Sequence, residues 1–155
     1  MDTLGPWTAD DFETLSWHDA HVYGFRFASF DPAEGAADLV LDIDYILKWD
    51  DSGGHFRFTV CQAELRFHQA FGLKLALDYA TPTAGMCPFS INEIERELRV
   101  ASNGYKSYRW RLLFNWPHGQ MEFDAPGFTQ TLLGTPEVQD SQILRPEKRP
   151  NGYAA

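Results

Sequence analysis

Asp38-Leu39-Val40-Leu41-Asp42-Ile43-Asp44-Tyr45-Ile46-Leu47-Lys48-Trp49-Asp50 is the stretch on which the fold class turns. Leu39, Leu41, Ile43, Tyr45, Leu47 and Trp49 fall on one side of an extended chain; Asp38, Val40, Asp42, Asp44, Ile46, Lys48 and Asp50 fall on the other. A period of two held over this length fits a half-buried strand, whereas helical apolar residues recur every three or four positions. The first face is predicted to be core. The second collects four aspartates, and like charges aligned on one strand repel unless water, a base, a cation or a partner answers them.

Working outward, His55 to His68 reads as the next strand, after the loop signal Asp51-Ser52-Gly53-Gly54. Its apolar residues change phase: Phe56, Phe58 and Val60 are even, while Ala63, Leu65 and Phe67 are odd. A bulge between Val60 and Gln62 would restore the phase. The resulting register pairs Trp49 with Phe56, Leu47 with Phe58 and Tyr45 with Val60, then Ile43 with Ala63, Leu41 with Leu65 and Leu39 with Phe67. On the acidic face Asp42 then opposes Glu64 and Asp38 opposes His68, which makes Arg66 and His68 the expected neutralisers.

Gln69-Ala70-Phe71-Gly72 reads as a tight reversal into Leu73, Leu75, Leu77 and Tyr79, a third hairpin-connected strand, and Thr81 to Ser90 reads as the longest irregular loop. Ile91 to Val100 suits helix or strand, and strand is preferred because the hairpin signal Asn103-Gly104 leads on to Tyr108, Trp110, Leu112, Phe114 and Trp116. Met121 and Phe123 continue the alternation, Pro126-Gly127 breaks it, and Phe128 to Leu133 adds a short strand. Upstream, His21, Tyr23, Phe25 and Phe27 share a strand face, and Thr8 to Leu15 can form a short helical turn with Thr8 as N-cap. The expected fold is therefore mainly β: an antiparallel meander of about seven or eight strands, curled into a barrel-like sheet or folded into a sandwich. Residues 1–144 are expected to form a single domain and residues 145–155 a polar, poorly ordered tail.

The 155 residues carry a net charge of −9. Residues 1 to 51 hold ten Asp and two Glu against one Arg and one Lys, a net of −10, so the acidic excess belongs to the first third. Such a balance disfavours nucleic acid and anionic membranes, both of which attract basic surfaces. The opening Met1-Asp2-Thr3-Leu4-Gly5-Pro6 has neither a basic leader nor an apolar run, and no stretch approaches the ~20 apolar residues of a membrane span, so a cytoplasmic location is expected. Cys61 and Cys87 lack the spacing of a zinc or redox pair and are expected to be reduced thiols.

Two clusters have chemical potential. Trp17-His18-Asp19-Ala20-His21 gathers imidazoles and a carboxylate; in extended chain His18 points away, while Asp19 and His21 share a face and could hold a metal or orient one another. Against a metal-assisted or acid-base enzyme stands the plainer reading, that His18 or Asp19 bonds the backbone at the entry to the sheet and Trp17 packs beneath. The other cluster is Asp38, Asp42 and Asp44 with Glu64, Arg66 and His68. Its carboxylates are spread along a strand instead of converging on a loop, which favours a surface that meets a basic protein over a cation site or a carboxylate dyad. No metal site and no cofactor is predicted. Arg109 and Arg111 flank Trp110 and are expected to be solvated or paired with Glu93, Glu95 and Glu97. A homo-oligomer that uses part of the aromatic surplus as an interface is a further possibility, and the oligomeric state is left open.

Trp17-His18-Asp19-Ala20, Asp42-Ile43-Asp44-Tyr45-Ile46, Ile91-Asn92-Glu93-Ile94-Glu95-Arg96-Glu97 and Gly127-Phe128-Thr129-Gln130 together resemble a group of small bacterial proteins of unassigned function, over roughly residues 12 to 145. The Trp-His-Asp-Ala stretch is also similar to the start of some immunity proteins that neutralise polymorphic toxins. That resemblance implies a binding role without catalytic residues, and an acidic lobe would suit a basic toxin such as a nuclease.

Overall fold

One strand of twenty-one residues, Arg57–Leu77, holds the sheet together. In the computed structural model, which describes residues 4–80, 83 and 85–149, the strands in chain order are β1 (Trp7–Thr8), β2 (His21–Asp31), β3 (Ala36–Asp50), β4 (Arg57–Leu77), β5 (Phe89–Val100), β6 (Lys106–Trp116), β7 (His118–Ala125), β8 (Phe128–Leu132) and β9 (Glu137–Gln139). One edge of β4 pairs with β3. The other receives β7, β8 and β9 in succession, at Phe71–Leu77, Ala63–Phe67 and Phe58–Val60. With β3 to β2, β2 to β5, β5 to β6 and β6 to β7 also paired antiparallel, the hydrogen bonds return to β4 and form a ring. The mainly β, antiparallel class is the expected one, and of the two architectures left open the chain adopts the closed, barrel-like form.

The expected reversal at Gln69 to Gly72 does not occur. The chain bends there, with Gln69 at φ 49° and Gly72 at φ 66°, shifts register between Phe71 and Lys74, and runs on against β7. Two left-handed residues within one short stretch redirect a strand without ending it, so the apolar run 73–77 belongs to the same strand as 57–68. At the far end of this seam Gly119 must be glycine, because a Cβ there would lie 2.3 Å from the Ala76 carbonyl oxygen.

Register along β3 and β4 agrees with the sequence reading at Leu39↔Phe67, Leu41↔Leu65, Asp42↔Glu64 and Ile43↔Ala63. Beyond these it differs: Tyr45 faces Cys61, Ile46 faces Val60 and Trp49 faces Phe58, and the extra residue is Leu47 on β3, not one of Val60 to Gln62. The phase change in β4 has another cause. Phe58 and Val60 join Ile46 and Leu144 in a small cluster on the outside of the ring, whereas Ala63, Leu65 and Phe67 point into the main core. The strand is buried on opposite faces along its length, because the C-terminal segment covers one of them.

Aromatics fill the ring. Trp110 and Phe67 are fully buried with centroids 5.2 Å apart, and Phe67 meets Phe123 at 4.7 Å. The N-terminal segment packs on this core through a 3-10 turn, Ala9–Thr14, where Thr8 and Asp11 form a reciprocal capping box. Arg96 fastens it, donating to the Ala9 carbonyl at 3.0 Å with its guanidinium 4.3 Å from the Phe12 ring centroid. Ile91 to Val100 is strand, as preferred. Arg111 lies 3.7 Å from Glu95, but Arg109 turns to Glu122 and Asp124 of β7. Thr81, Pro82 and Ala84 of the expected loop lie outside the described residues.

Residues 145–149, expected to belong to a poorly ordered tail, form a 3-10 turn at Pro146–Lys148 and end in a buried Arg149. The remaining tail positions, 150–155, lie outside the described residues.

Candidate functional site

Alternation puts Asp38, Asp42 and Asp44 on the outer face of β3, and the fold answers them in two separate groups. At one end Arg66 donates to Asp38 at 2.8 Å and lies 3.5 Å from Glu64, which Arg26 approaches at 3.4 Å. His68 Nδ1 is 3.9 Å from Asp38, and its Nε2 is 2.8 Å from Thr129 Oγ1. Burial alone would raise the Asp38 carboxyl, but the Gln69 amide at 3.0 Å and the Arg66 guanidinium outweigh it and hold the group below its ordinary range. This end is a ribbon of ion pairs among Asp38, Glu64, Arg26 and Arg66, with the His68 ring set between Asp38 and Thr129.

At the other end the aspartates are not a free surface. Asp44 is 0% exposed. Arg149, more than one hundred residues away in sequence, donates from Nη1 to Asp44 Oδ1 and from Nη2 to Asp42 Oδ1, with its guanidinium carbon 3.7 Å from the Tyr23 ring centroid. The Leu144 amide donates to Asp44 Oδ2 at 2.8 Å, Gln62 Nε2 to Asp42 Oδ1 at 2.9 Å, and the Tyr23 hydroxyl to the Leu144 carbonyl at 3.4 Å. Asp42 and Asp44 are thus occupied by the chain's own C-terminal segment. Tyr23, Gln62, Leu144 and Arg149 have no pattern in sequence that marks them for this role. The one signal is indirect: two carboxylates on a half-buried strand with no base opposite them require a base from elsewhere.

Burial pushes the Asp44 carboxyl up to about 6 against the opposing pull of the Leu144 amide and Arg149, and it pushes the Tyr23 hydroxyl up to about 12. Between the ordinary Asp44 value of 3.8 and about 6, the folded chain binds a proton that the unfolded chain does not. Its contribution to stability is therefore complete below the lower value and is lost as pH rises through the upper one. Relative to Asp44→Asn, the native chain is expected to lose about 2–3 kcal/mol of unfolding free energy between pH 4 and pH 7. Urea titrations of both proteins across that range check this, and a difference that does not vary with pH would refute it.

The Trp17 to His21 segment makes a knot of hydrogen bonds. Asp19 has φ 64°, so the extended geometry that would put it beside His21 is absent; His18 Nε2 instead lies 3.6 Å from Asp19 Oδ1. Asp19 accepts from Asn115 Nδ2 at 2.6 Å and from Gln142 Nε2 at 3.0 Å, while Ser90 Oγ donates to Asn115 Oδ1. His18 Nδ1 is 3.1 Å from the Asn92 carbonyl, and the buried Trp17 donates from its indole to Gln130 at 2.7 Å. His21 keeps a buried Nδ1 without a partner, and burial lowers its pKa. Among the described residues no three His, Cys, Asp or Glu side chains are grouped so as to hold a metal ion. Asp19 ties the entry to β2 to β6 and to the C-terminal segment.

A third feature has no counterpart in the sequence pattern. The ladder between β2 and β5 consists of two pairs, His21↔Ser90 and Val22↔Phe89, so the rest of β2 runs on without β5 beside it. Where the β2–β3 hairpin meets the bend of β4, Phe27, Phe30, Leu39, Ala70, Phe71 and Leu73 line an apolar cup of about 340 Å³. Phe27 and Phe30 are 65% and 68% exposed at its rim. An adjoining hollow of about 630 Å³ is lined by Ser29, Asp31, Glu34, Asp38, Gln69 and Tyr105. Both volumes fall within the range of ligand-sized clefts.

Comparison with protein-family models, with curated proteins and with solved structures found no significant match. Among the described residues no helix is long and apolar enough to cross a membrane.

Proposed function

We propose that this chain is a small, acidic, cytoplasmic protein-binding module, immunity-like in character, that receives a basic partner at the end of the ring formed by the β2–β3 hairpin and the β4 bend. The observation that carries the reading is the juxtaposition there of the exposed Phe27, Phe30 and Phe71 with the hollow lined by Asp31, Glu34 and Asp38. Aromatic anchors beside carboxylates have the makeup of an interface core with a charged rim, and they match a partner that brings lysine or arginine around an apolar contact. The resemblance to immunity proteins points the same way, since a toxin such as a nuclease is basic. Compared with the strand face expected from sequence, this surface keeps the acidic first third of the chain as the source of charge but moves the contact toward Asp31 and Glu34.

The reading is tested with the protein encoded beside this chain in its source genome, purified and titrated calorimetrically. Submicromolar binding is expected, weakened at least 100-fold by Phe30→Asp with Phe71→Asp, both substitutions lying at exposed positions that leave the near-ultraviolet circular dichroism unchanged. Absence of binding, or affinity unchanged in the double variant, removes the proposal.

A further inference from the structure

We propose that Tyr23, Asp42 and Asp44 form an arginine-binding site, filled within the chain by Arg149, in which an arginine side chain of a basic polypeptide can take Arg149's place. The recognition chemistry is in view, because the occupant is present. Two carboxylates accept from the two terminal nitrogens of one guanidinium, and the plane lies on an aromatic ring 3.7 Å from its carbon. Ring stacking and a forked donor set select arginine over lysine, whose ammonium is a strongly hydrated point charge.

Two observations mark Arg149 as an exchangeable occupant. The first is how it arrives. It ends a segment, 140–149, that contains no strand and is held by side-chain contacts: Leu144 in the cluster with Ile46, Phe58 and Val60, Gln142 on Asp19, and Gln139 on the Ser141 and Ile143 carbonyls. Segments without a ladder open more readily than the sheet beneath them.

The second is how it fits. Arg149 Nε and Asp42 Oδ2 are both buried, and neither has a hydrogen-bond partner. Arg149 approaches end-on and spreads Nη1 and Nη2 over two different carboxylates. An arginine entering side-on presents Nε and one Nη to both oxygens of a single carboxylate, the arrangement that would satisfy Asp42 Oδ2 and the guanidinium Nε together. Exchange replaces one cation at Asp44 with another, although displacing the segment withdraws the Leu144 amide from Asp44 Oδ2, which the Tyr23 hydroxyl beside it partly offsets. Displacing the segment also uncovers Ile46, Phe58 and Val60 beside the site, an apolar strip for the residues that flank the incoming arginine.

This site lies on the outer face of β3 and does not depend on the surface proposed above. The test uses the full chain. Arg149→Ala is titrated with propylguanidinium and, separately, propylammonium, following the Leu144 amide and the Gln62 side-chain amide by nuclear magnetic resonance. Saturable shifts are expected with propylguanidinium, at least tenfold tighter than with propylammonium, and lost when Asp42→Asn is added. Equal response to the two cations, or none, overturns the site. Should Arg149→Ala fail to fold, the native chain decides: a peptide copying residues 140–149, at up to 10 mM, is expected to shift the Leu144 resonance and accelerate its hydrogen exchange, with no effect when its final arginine is citrulline. A native spectrum unchanged by the arginine peptide overturns the exchange. Either result leaves the Phe30 and Phe71 titration untouched.

Discussion

Exchanging Arg149 for methionine is expected to destabilise the fold by about 3–5 kcal/mol at pH 7, the usual cost of leaving one member of a buried ion pair without the other. Methionine keeps much of the side chain's apolar bulk over Tyr23, so what is lost is chiefly the charge. Asp44 is wholly buried and retains only neutral donors, the Leu144 amide and the Tyr23 hydroxyl. It is then driven to take up a proton, and the loss should shrink toward pH 5. Adding Asp44→Asn removes the stranded charge and should recover most of the stability, because a neutral amide costs less to bury than an unpaired carboxylate. Urea unfolding of the two variants at pH 5 and pH 7 measures both effects. A single variant within about 0.5 kcal/mol of the native protein would mean that Arg149 is not the ion that neutralises Asp44.

Trp110→Ala is expected to lose a comparable amount, about 3–5 kcal/mol, for a different reason. Trp110 is the hub of the aromatic core, with centroids at 5.7 Å from Phe12, 5.2 Å from Phe67, 5.5 Å from Tyr108 and 5.6 Å from Phe128. It is fully buried, and its indole donates to the Ala125 carbonyl at 2.9 Å. Removing it opens a cavity enclosed by a closed sheet that has little freedom to collapse, and it takes away the indole donor to that carbonyl. The N-terminal segment should loosen as well, since Phe12 packs on this ring and Arg96 stacks over both. Denaturant unfolding and amide exchange at residues 9–15 report the two consequences. Trp116→Ala, at a position 39% exposed, serves as the control and should cost under about 1 kcal/mol.

Much of the sheet is legible in the amino-acid sequence, and the reason is local. Alternation in 39–49, in 108–116 and in 121–123 states which residues are extended and which face is apolar, and Asn103-Gly104 and Pro126-Gly127 mark where the chain turns or breaks. The register from Leu39↔Phe67 to Ile43↔Ala63 follows because two alternating strands joined by a short loop have few ways to bring their apolar faces together. Reasoning of this kind fails where the cause is distant. The phase change at Phe58 and Val60 resembles a bulge because nothing near them in sequence shows that Leu144 buries their face. Gln69 to Gly72 resembles a turn because a bend and a reversal use similar residues; what separates them is whether β7 waits along the same edge.

The same division applies to the acidic strand. Its aspartates, their common face and their need for counter-charge are written in residues 38–50, since side-chain direction in a strand depends only on position. Which base answers which aspartate is not written there. Arg66 can be assigned to Asp38 from register alone, because it lies on the adjacent strand. Arg149 reaches Asp42 and Asp44 from a segment with no periodicity, and its place there follows from β7, β8 and β9 running successively along β4 and delivering the C-terminal chain to the outer face of β3. Charge pairing across such a separation depends on topology and burial, and these exist only once the ring has closed.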